Sequence, residues 1–388
     1  MIQDTKKDKK IYPRILAAAV LLILSAALMI LAAQAPDFAE WYSEHIYPVF
    51  VGSLGRIWGV FLFSVSEICL YLLLAALIVS LCVLAVRVVR ALAGKGVLSE
   101  ENISAETRGT EKGLRSAAVI RAVTAWVSGI LLAAGILAFL YTVCCGINYH
   151  RRSFSEEERI ITYNYTAEEL KEVCLWMTEG VNSLADEVSR DENGVMRLDA
   201  PEGEGAVDAM YSLAEEFSAL EGYYPQPKKI IVSEILSYQS LTGVYSPFTV
   251  EANYNGDMTA YNIPFTTCHE LSHLRGFMQE QEANFIAFLA CIGSDRTDFQ
   301  YSGYLSGWVY CMNALYRADY ESWQEVRALL DTAADPDLAA NNAFWASYRG
   351  PVSETARRVN DTYLKANGQA DGVQSYDRMV DLIVAYFE

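Results

Sequence analysis

Three long apolar runs in the N-terminal part constrain this chain more than any other feature of its sequence. They cover residues 15–33, 57–86 and 122–145, and the second is interrupted only by Glu67 and a few serines. A helix needs about 20 predominantly apolar residues to cross a bilayer. We therefore predict three transmembrane helices.

The charges divide the chain into two parts of different character. Residues 1–150 carry 13 Lys or Arg against 10 Asp or Glu, whereas residues 151–388 carry 17 against 38. The acidic part is long enough to bury a core of its own. We predict a membrane domain over 1–148 and a water-compatible domain over 149–388. An acidic surface excludes nucleic acid as a partner and favours neutral or basic peptides.

Basic residues flank the apolar runs unevenly. Arg56 alone lies between the first and second runs, seven lie between the second and third, and five precede the first: Lys6, Lys7, Lys9, Lys10 and Arg14. Cytoplasmic segments of membrane proteins carry an excess of Lys and Arg. We therefore predict that the N-terminus is cytoplasmic and that three spans place the C-terminal domain outside the cytoplasm, at the plasma membrane. The first run also fits a signal peptide cut after Ala33-Gln34-Ala35, but Pro36 disfavours cleavage and we expect an uncleaved anchor.

The acidic part has the patterns of a mainly helical α+β domain with a small sheet. Thr166 and Glu169 form a capping box that predicts a helix start. Residues 229–236 and 244–251 predict extended segments, and the pattern is helical from Pro264 onward. Four cysteines in this part are as compatible with disulfides as with buried thiols: Cys174, Cys268, Cys291 and Cys311.

Two of the four histidines lie in the string Cys268-His269-Glu270-Leu271-Ser272-His273. Residues four apart share one face of a helix, so both imidazoles can bind the same metal ion. The HExxH pattern is typical of zinc hydrolases, in which the glutamate acts as general base towards a metal-activated water. We predict His269 and His273 as Zn²⁺ ligands and Glu270 as the catalytic residue.

A third ligand must come from beyond the end of this helix. On a continuous helix, Glu280 would lie about 10 Å along the axis from His273, too far to share an ion. The helix must therefore end between them, and Gly276 is the natural residue to end it. We prefer Glu280 as the ligand, with Glu282 as the alternative. Asn284 can hydrogen-bond the free ring nitrogen of a ligand histidine.

The motif His269-Glu270-x-x-His273 followed by Glu280-x-x-Ala283-Asn284 resembles gluzincin metallopeptidases. A closer resemblance, over most of the chain, is to the bacterial membrane family catalogued as domain of unknown function 3810. The similar segments are residues 243–253, 264–273, 276–277, 280–291, 301–304, 375–376 and 379–381. The resemblance implies a zincin-like domain and a zinc peptidase with Glu280 as a ligand, supported by Asn284, in a bacterial membrane.

The sequence therefore predicts a membrane-anchored zinc metallopeptidase that hydrolyses peptide bonds in an unidentified peptide or protein. The alternative is a zinc-stabilised membrane sensor or envelope assembly factor that cleaves nothing. Tyr301, Tyr304 and Arg275 are candidates for stabilising an oxyanion. Residues 244–253 are a candidate edge strand that pairs with a bound peptide.

Overall fold

The computed structural model describes residues 10–94, 105–199 and 203–387, apart from the side chains of 105–112. Lys6, Lys7, Lys9 and loop residues 95–104, which entered the predicted membrane orientation, lie outside the described residues. The chain forms two compact units. One contains Met1–Leu31 and Glu67–Val143, and the other contains Ala32–Ser66 and Cys144–Glu388.

The described helices are, in chain order, α1 (Ile11–Gln34), α2 (Pro36–His45), α3 (Tyr47–Phe50), α4 (Arg56–Gly59), α5 (Val65–Leu92), α6 (Ala105–Tyr141), α7 (Phe154–Glu157), α8 (Ala167–Ala185), α9 (Glu204–Glu216), α10 (Glu234–Tyr238), α11 (Asn262–Arg275), α12 (Glu280–Ile292), α13 (Thr297–Ala318), α14 (Tyr320–Arg327), α15 (Asp335–Ser347), α16 (Pro351–Ala366) and α17 (Met379–Phe387). Short π-helical turns cover Val51–Gly55 and Thr142–Gly146, and 3₁₀ helices cover Ile147–His150, Ser218–Leu220, Thr332–Ala334 and Gly372–Arg378.

Three helical stretches are long and apolar enough to cross a membrane: Ile11–Gln34, Val65–Leu92 and Gly113–His150. The prediction of three such helices is confirmed. Glu67, the carboxyl inside the second apolar run, accepts a hydrogen bond of 2.6 Å from the hydroxyl of Tyr71, one helical turn later.

The second of these helices begins later than its apolar composition predicts. Its expected start at residue 57 is wrong, because the chain leaves helical geometry after α4 and α5 starts at Val65. The Glu251 carboxylate accepts hydrogen bonds from the backbone N–H groups of Val65 (3.2 Å) and Ser66 (2.8 Å). A carboxylate at this place satisfies amide groups that have no partner within the helix, and so it fixes where the helix begins.

The second unit is a helical domain built around α11, α12 and α13. These three helices pack on one another, α8 lies along α13, and α9 contacts α11 and α12. Large side chains at their contacts are fully buried, among them Leu271, Phe285 and Leu305. The capping box predicted at Thr166 and Glu169 is confirmed at the start of α8. The domain is mainly helical, as predicted.

The cysteines of this unit are thiols rather than disulfides. In the described part of the chain, all eight cysteines are free. The Sγ atoms of Cys268 on α11 and Cys291 on α12 lie 3.9 Å apart.

A small sheet of three strands lies beside α11. Its strands are β1 (Lys228–Lys229), β2 (Gly243–Ser246) and β3 (Glu251–Tyr254), in the order β1-β3-β2. β1 pairs with β3 in parallel and β2 pairs with β3 antiparallel, with Gly243 opposite Tyr254. β2 is therefore an edge strand.

The two extended segments predicted from sequence are only partly strands. The strand expected over 229–236 is wrong, because pairing ends after Lys229 and residues Glu234–Tyr238 form α10. The backbone N–H of Ile230 still bonds to Tyr254, but Ile231 and Val232 point into solvent. The segment predicted over 244–251 holds β2, a turn in which Val250 has φ +55°, and the first residue of β3.

Candidate metal centre

Helix α11 carries the HExxH string inside the domain. Every residue from Ile263 to Leu274 is buried, although many of them are polar. Hydroxyl groups on this helix are satisfied locally: Thr267 donates to the carbonyl of Ile263, and Ser272 donates to that of Cys268, both at 2.9 Å. The histidines and Glu270 are therefore held on a rigid, fully packed element.

The chain reverses direction immediately after this helix. Gly276 follows the last helical residue with φ +106°, a left-handed conformation that glycine adopts at little cost. The N–H of Phe277 bonds back to the carbonyl of Ser272 at 3.1 Å. The predicted break at Gly276 is confirmed, and it places Glu280 at the first position of α12.

The reversal brings one carboxylate onto both histidines. Oε2 of Glu280 lies 3.3 Å from Nε2 of His269 and 3.4 Å from Nε2 of His273. The potential ligand atoms of these three buried residues all lie within 4.8 Å of one another. The two imidazole rings are nearly perpendicular, at 84°. The two histidines and the preferred glutamate thus form one cluster.

The cluster fits the requirements of a zinc ion. Two ligand atoms at about 2.1 Å from one ion in a tetrahedral arrangement are about 3.4 Å apart, close to both nitrogen–oxygen distances. Among the described residues, Oε2 of Glu280 has no hydrogen-bond partner although it is buried. Two imidazoles and one carboxylate are a donor set that leaves a fourth position for a water or substrate.

Glu282 has a different role from Glu280. Its carboxylate accepts hydrogen bonds from the backbone N–H (2.9 Å) and the hydroxyl (2.8 Å) of Ser155, at the start of α7. Of the two glutamates, only Glu280 belongs to the cluster with the histidines.

Asn284 lies one turn after Glu280, near His269 and Tyr376. It is close enough to raise the pKa of His269, which burial lowers overall. Its amide donates to the backbone carbonyl of Tyr376 at 3.3 Å and to the hydroxyl of Tyr310 at 3.5 Å. Nδ1 of His269 has no hydrogen-bond partner among the described residues, so the expected hydrogen bond from Asn284 to a ligand histidine stays a prediction.

Charge interactions within the cluster oppose the effect of burial on Glu280 and His273. Burial alone would raise the pKa of Glu280, but the two histidines hold it at about 2. Burial alone would lower the pKa of His273, but the carboxylates of Glu280 and Glu270 raise it to about 9. The two shifts have the same cause, the attraction between the His273 ring and the Glu280 carboxylate. A histidine binds a metal ion through a deprotonated ring nitrogen, so metal binding at this cluster would depend on pH.

Glu270 faces a cavity of about 700 Å³ that His269 also lines. Burial raises the pKa of Glu270 to about 8. The edge strand β2 approaches Glu270 closely, since a Cβ at Gly243 would lie 2.5 Å from its Oε1 and 2.8 Å from its Cγ. Glycine at the start of β2 thus leaves room for the Glu270 side chain.

Comparison with known protein families gives one match. The family model described as a protein of unknown function (DUF3810) matches residues 42–384. The chain belongs to the DUF3810 family. No curated protein and no solved structure matches it. The region matched to DUF3810 includes all residues of the cluster and its cavity.

Tyr376 is a residue of this DUF3810 protein that sequence reasoning did not connect with the metal centre. Its ring stacks on that of His269, with centroids 6.4 Å apart and planes at 20°. Burial, and then the nearby Glu280 carboxylate, raise its pKa well above the ordinary value. The sequence contains 24 tyrosines. The one sequence feature that distinguished Tyr376 from most of them was its position in a terminal segment similar to the family.

The oxyanion candidates chosen from the sequence lie elsewhere in the DUF3810 domain. The Tyr301 hydroxyl donates to Asp337 at 2.6 Å, and the Tyr304 ring packs edge-on against Trp176. Arg275 donates to the backbone carbonyl of Ala219 at 3.2 Å. None of the three lines the cavity at Glu270.

Proposed function

We propose that this protein is a membrane-anchored zinc metallopeptidase of the gluzincin type, in which His269, His273 and Glu280 hold the ion. The observation that carries the proposal is the position of Oε2 of Glu280, 3.3 and 3.4 Å from the two Nε2 atoms. Glu280 follows the HExxH helix by way of a glycine turn, and Oε2 of its carboxylate has no hydrogen-bond partner among the described residues.

Glu270 is the general base of the proposed reaction. A zinc ion held by His269, His273 and Glu280 would supply Lewis-acid chemistry, by which a peptide carbonyl is polarised and the pKa of a water molecule is lowered. Glu270 lines the same cavity as His269, and its Oε2 has no hydrogen-bond partner among the described residues. Burial alone favours the protonated form of Glu270, whereas a zinc cation beside it would favour the carboxylate. In that form Glu270 would accept a proton from the attacking water and pass it to the leaving amine.

The neighbouring strand and tyrosine support a peptide as substrate. β2 is an edge strand that begins at Gly243, in contact with Glu270. An extended peptide can pair with such an edge and present its backbone to the general base. Tyr376 packs on His269 and lies near Glu280, so it restricts the movement of two proposed ligands.

The three apolar helices anchor the enzyme in the bacterial plasma membrane in this proposal. The distribution of basic residues supports a cytoplasmic N-terminus and an extracytoplasmic peptidase domain, with the boundary near residue 148.

Substitution of Glu270 by Gln tests the proposal directly. The assay uses mass spectrometry to follow the hydrolysis of a mixed library of synthetic peptides by detergent-solubilised protein. The Glu270→Gln protein should keep its zinc and no longer hydrolyse these peptides. Glu282→Gln, which alters a glutamate outside the cluster, should keep both its zinc and its hydrolytic activity. If wild-type protein binds zinc but Glu270→Gln leaves its cellular role intact, the alternative of a zinc-stabilised sensor or assembly factor is favoured.

A further inference from the structure

Two arginines line the cavity beside Glu270, in a part of the chain where acidic residues dominate. Residues 151–388 carry 38 Asp or Glu against 17 Lys or Arg. Arg349, just after α15, and Arg357, on α16, both line this cavity with exposed side chains. Other polar lining residues on these helices are the neutral Asn341, Ser353 and Asn360, and the acidic Glu354.

Neighbouring contacts fix the backbone positions of both arginines. Tyr348 packs edge-on against Tyr238, with ring centroids 5.0 Å apart, and so holds Arg349 near the segment that leads into β2. The hydroxyl of Ser353 accepts from the N–H of Gly350 at 3.0 Å and starts α16, which carries Arg357 one turn later.

Apart from Glu270, the two acidic residues that line the cavity each lie near another arginine. Glu354 lies 3.7 Å from Arg358, and Asp377 lies 3.4 Å from Arg317. Arg349 and Arg357 have no ion pair within 4.0 Å among the described residues. Asp361, the carboxylate that interacts with Arg357 at longer range, is paired with Lys365 at 2.7 Å.

Local charge decides what binds in the cavity, because charges are screened beyond about 8 Å at physiological ionic strength. The acidic surface of the whole domain favours neutral or basic peptides at long range. Inside the cavity, apart from Glu270 itself, the described charged side chains without an ion pair are the two arginines. A guanidinium recognises a carboxylate by two parallel hydrogen bonds, which adds direction to the charge attraction.

We propose that Arg349 and Arg357 form a carboxylate-binding subsite, which selects peptides carrying a carboxylate on one side of the bond presented to Glu270. The carboxylate belongs either to an acidic side chain or to the C-terminus of the peptide. This inference rests on the proposed peptidase function and names the substrate class of the same site.

Binding of matched peptides to the zinc-loaded, full-length Glu270→Gln protein tests the subsite without turnover. The probes are acetylated, amidated hexapeptides of alanine with one phenylalanine, in which either Glu or Gln is moved through the remaining positions. A third series ends in a free carboxylate instead of the amide. The first two series detect an acidic side chain, and the third detects a C-terminal carboxylate.

We expect at least one carboxylate-bearing peptide to bind at least tenfold more tightly than its neutral partner. Arg349→Ala with Arg357→Ala should remove this preference and leave the affinity for neutral peptides within twofold. Arg327→Ala, at an arginine that pairs with Asp335 outside the cavity lining, should keep the preference. Higher salt should weaken it.

The proposal is overturned if neutral and carboxylate-bearing peptides bind equally in every series, if the preference survives the double substitution, or if no peptide binds to zinc-loaded protein. Zinc measured on the same samples separates the two proposals. Zinc without charge preference contradicts the subsite alone, whereas absence of zinc contradicts the peptidase proposal and the subsite with it.

Discussion

Nδ1 of His273 lies 2.8 Å from the carbonyl oxygen of Phe277, four residues further along the chain. Because a carbonyl can only accept, Nδ1 carries the hydrogen of this bond and Nε2 is directed towards Glu280. Phe277 stands where it does because Gly276 turns the chain at φ +106°. The turn at Gly276 therefore ends the helix, orients the His273 ring and places Glu280 beside both histidines.

Gly276→Ala tests this coupling between turn and cluster. A Cβ at Gly276 would meet nothing closer than 3.4 Å, so the cost comes from the positive φ rather than from crowding. We expect the free energy of unfolding to fall by about 1–2 kcal/mol and zinc affinity to fall with it. Thermal unfolding in detergent and competition with a chelator measure the two effects. Gly52→Ala, where a Cβ meets nothing within 4 Å, should change neither.

Gly243→Ala tests the role of the general base independently of metal binding. A Cβ there would come within 3.0 Å of Oε1 and Cγ of Glu270 and of the carbonyl of Asn253. We expect the Glu270 side chain to be displaced, so that peptide hydrolysis falls at least tenfold while zinc content stays the same. Equal hydrolysis by Gly243→Ala and wild type would contradict the close approach of β2 to the base.

Tyr376→Phe removes the hydroxyl that lies near Glu280 but keeps the ring that stacks on His269. Loss of a group that supports a metal ligand weakens metal binding by about tenfold, and we expect this change in a chelator titration. Tyr301→Phe is the matched control, because its hydroxyl bonds to the distant Asp337. Its zinc affinity should remain at the wild-type value, even if its stability falls.

Helical periodicity and chain reach were enough to predict most of the cluster. His269, Glu270 and His273 follow from the four-residue spacing, and the need for a break at Gly276 follows from the distance to Glu280. The sequence could not separate Glu280 from Glu282, because both lie in the first turn of α12. The choice depends on Ser155, whose N–H and hydroxyl bond to Glu282.

Features that depend on distant partners could not be predicted. Tyr376 reaches His269 from a 3₁₀ helix near the end of the chain, and no local pattern relates them. The start of α5 depends on Glu251, whose carboxylate binds Val65 and Ser66 from a strand far along the sequence. Because apolar composition contains no information about this distant partner, the helix predicted from it started too close to the N-terminus.

The stability of the domain should depend on pH through Glu157. Arg151 lies between two carboxylates, 2.8 Å from Glu157 and 3.0 Å from Glu40. Burial raises the pKa of Glu157 from 4.5 to about 7, although the charge of Arg151 lowers it, and the charge of Glu40 raises it by a smaller amount. The folded state thus holds a proton that the unfolded state releases.

This contribution to stability is fully present below about pH 4.5 and is lost as the pH rises through about 7. We expect a loss on the order of 1–2 kcal/mol after allowance for solvent screening, seen as a falling unfolding temperature between pH 5 and pH 8. Glu157→Gln should flatten the profile, and Glu158→Gln should not. A profile unchanged by Glu157→Gln would exclude this carboxyl as its source.

The zinc content of the purified, full-length protein tests the central claim most directly. Elemental analysis should give about one zinc per chain for wild type and for Glu282→Gln, and far less for His269→Ala and Glu280→Gln. Wild-type protein without zinc, or undiminished zinc in His269→Ala and Glu280→Gln, would contradict the assignment of His269, His273 and Glu280 as a zinc site.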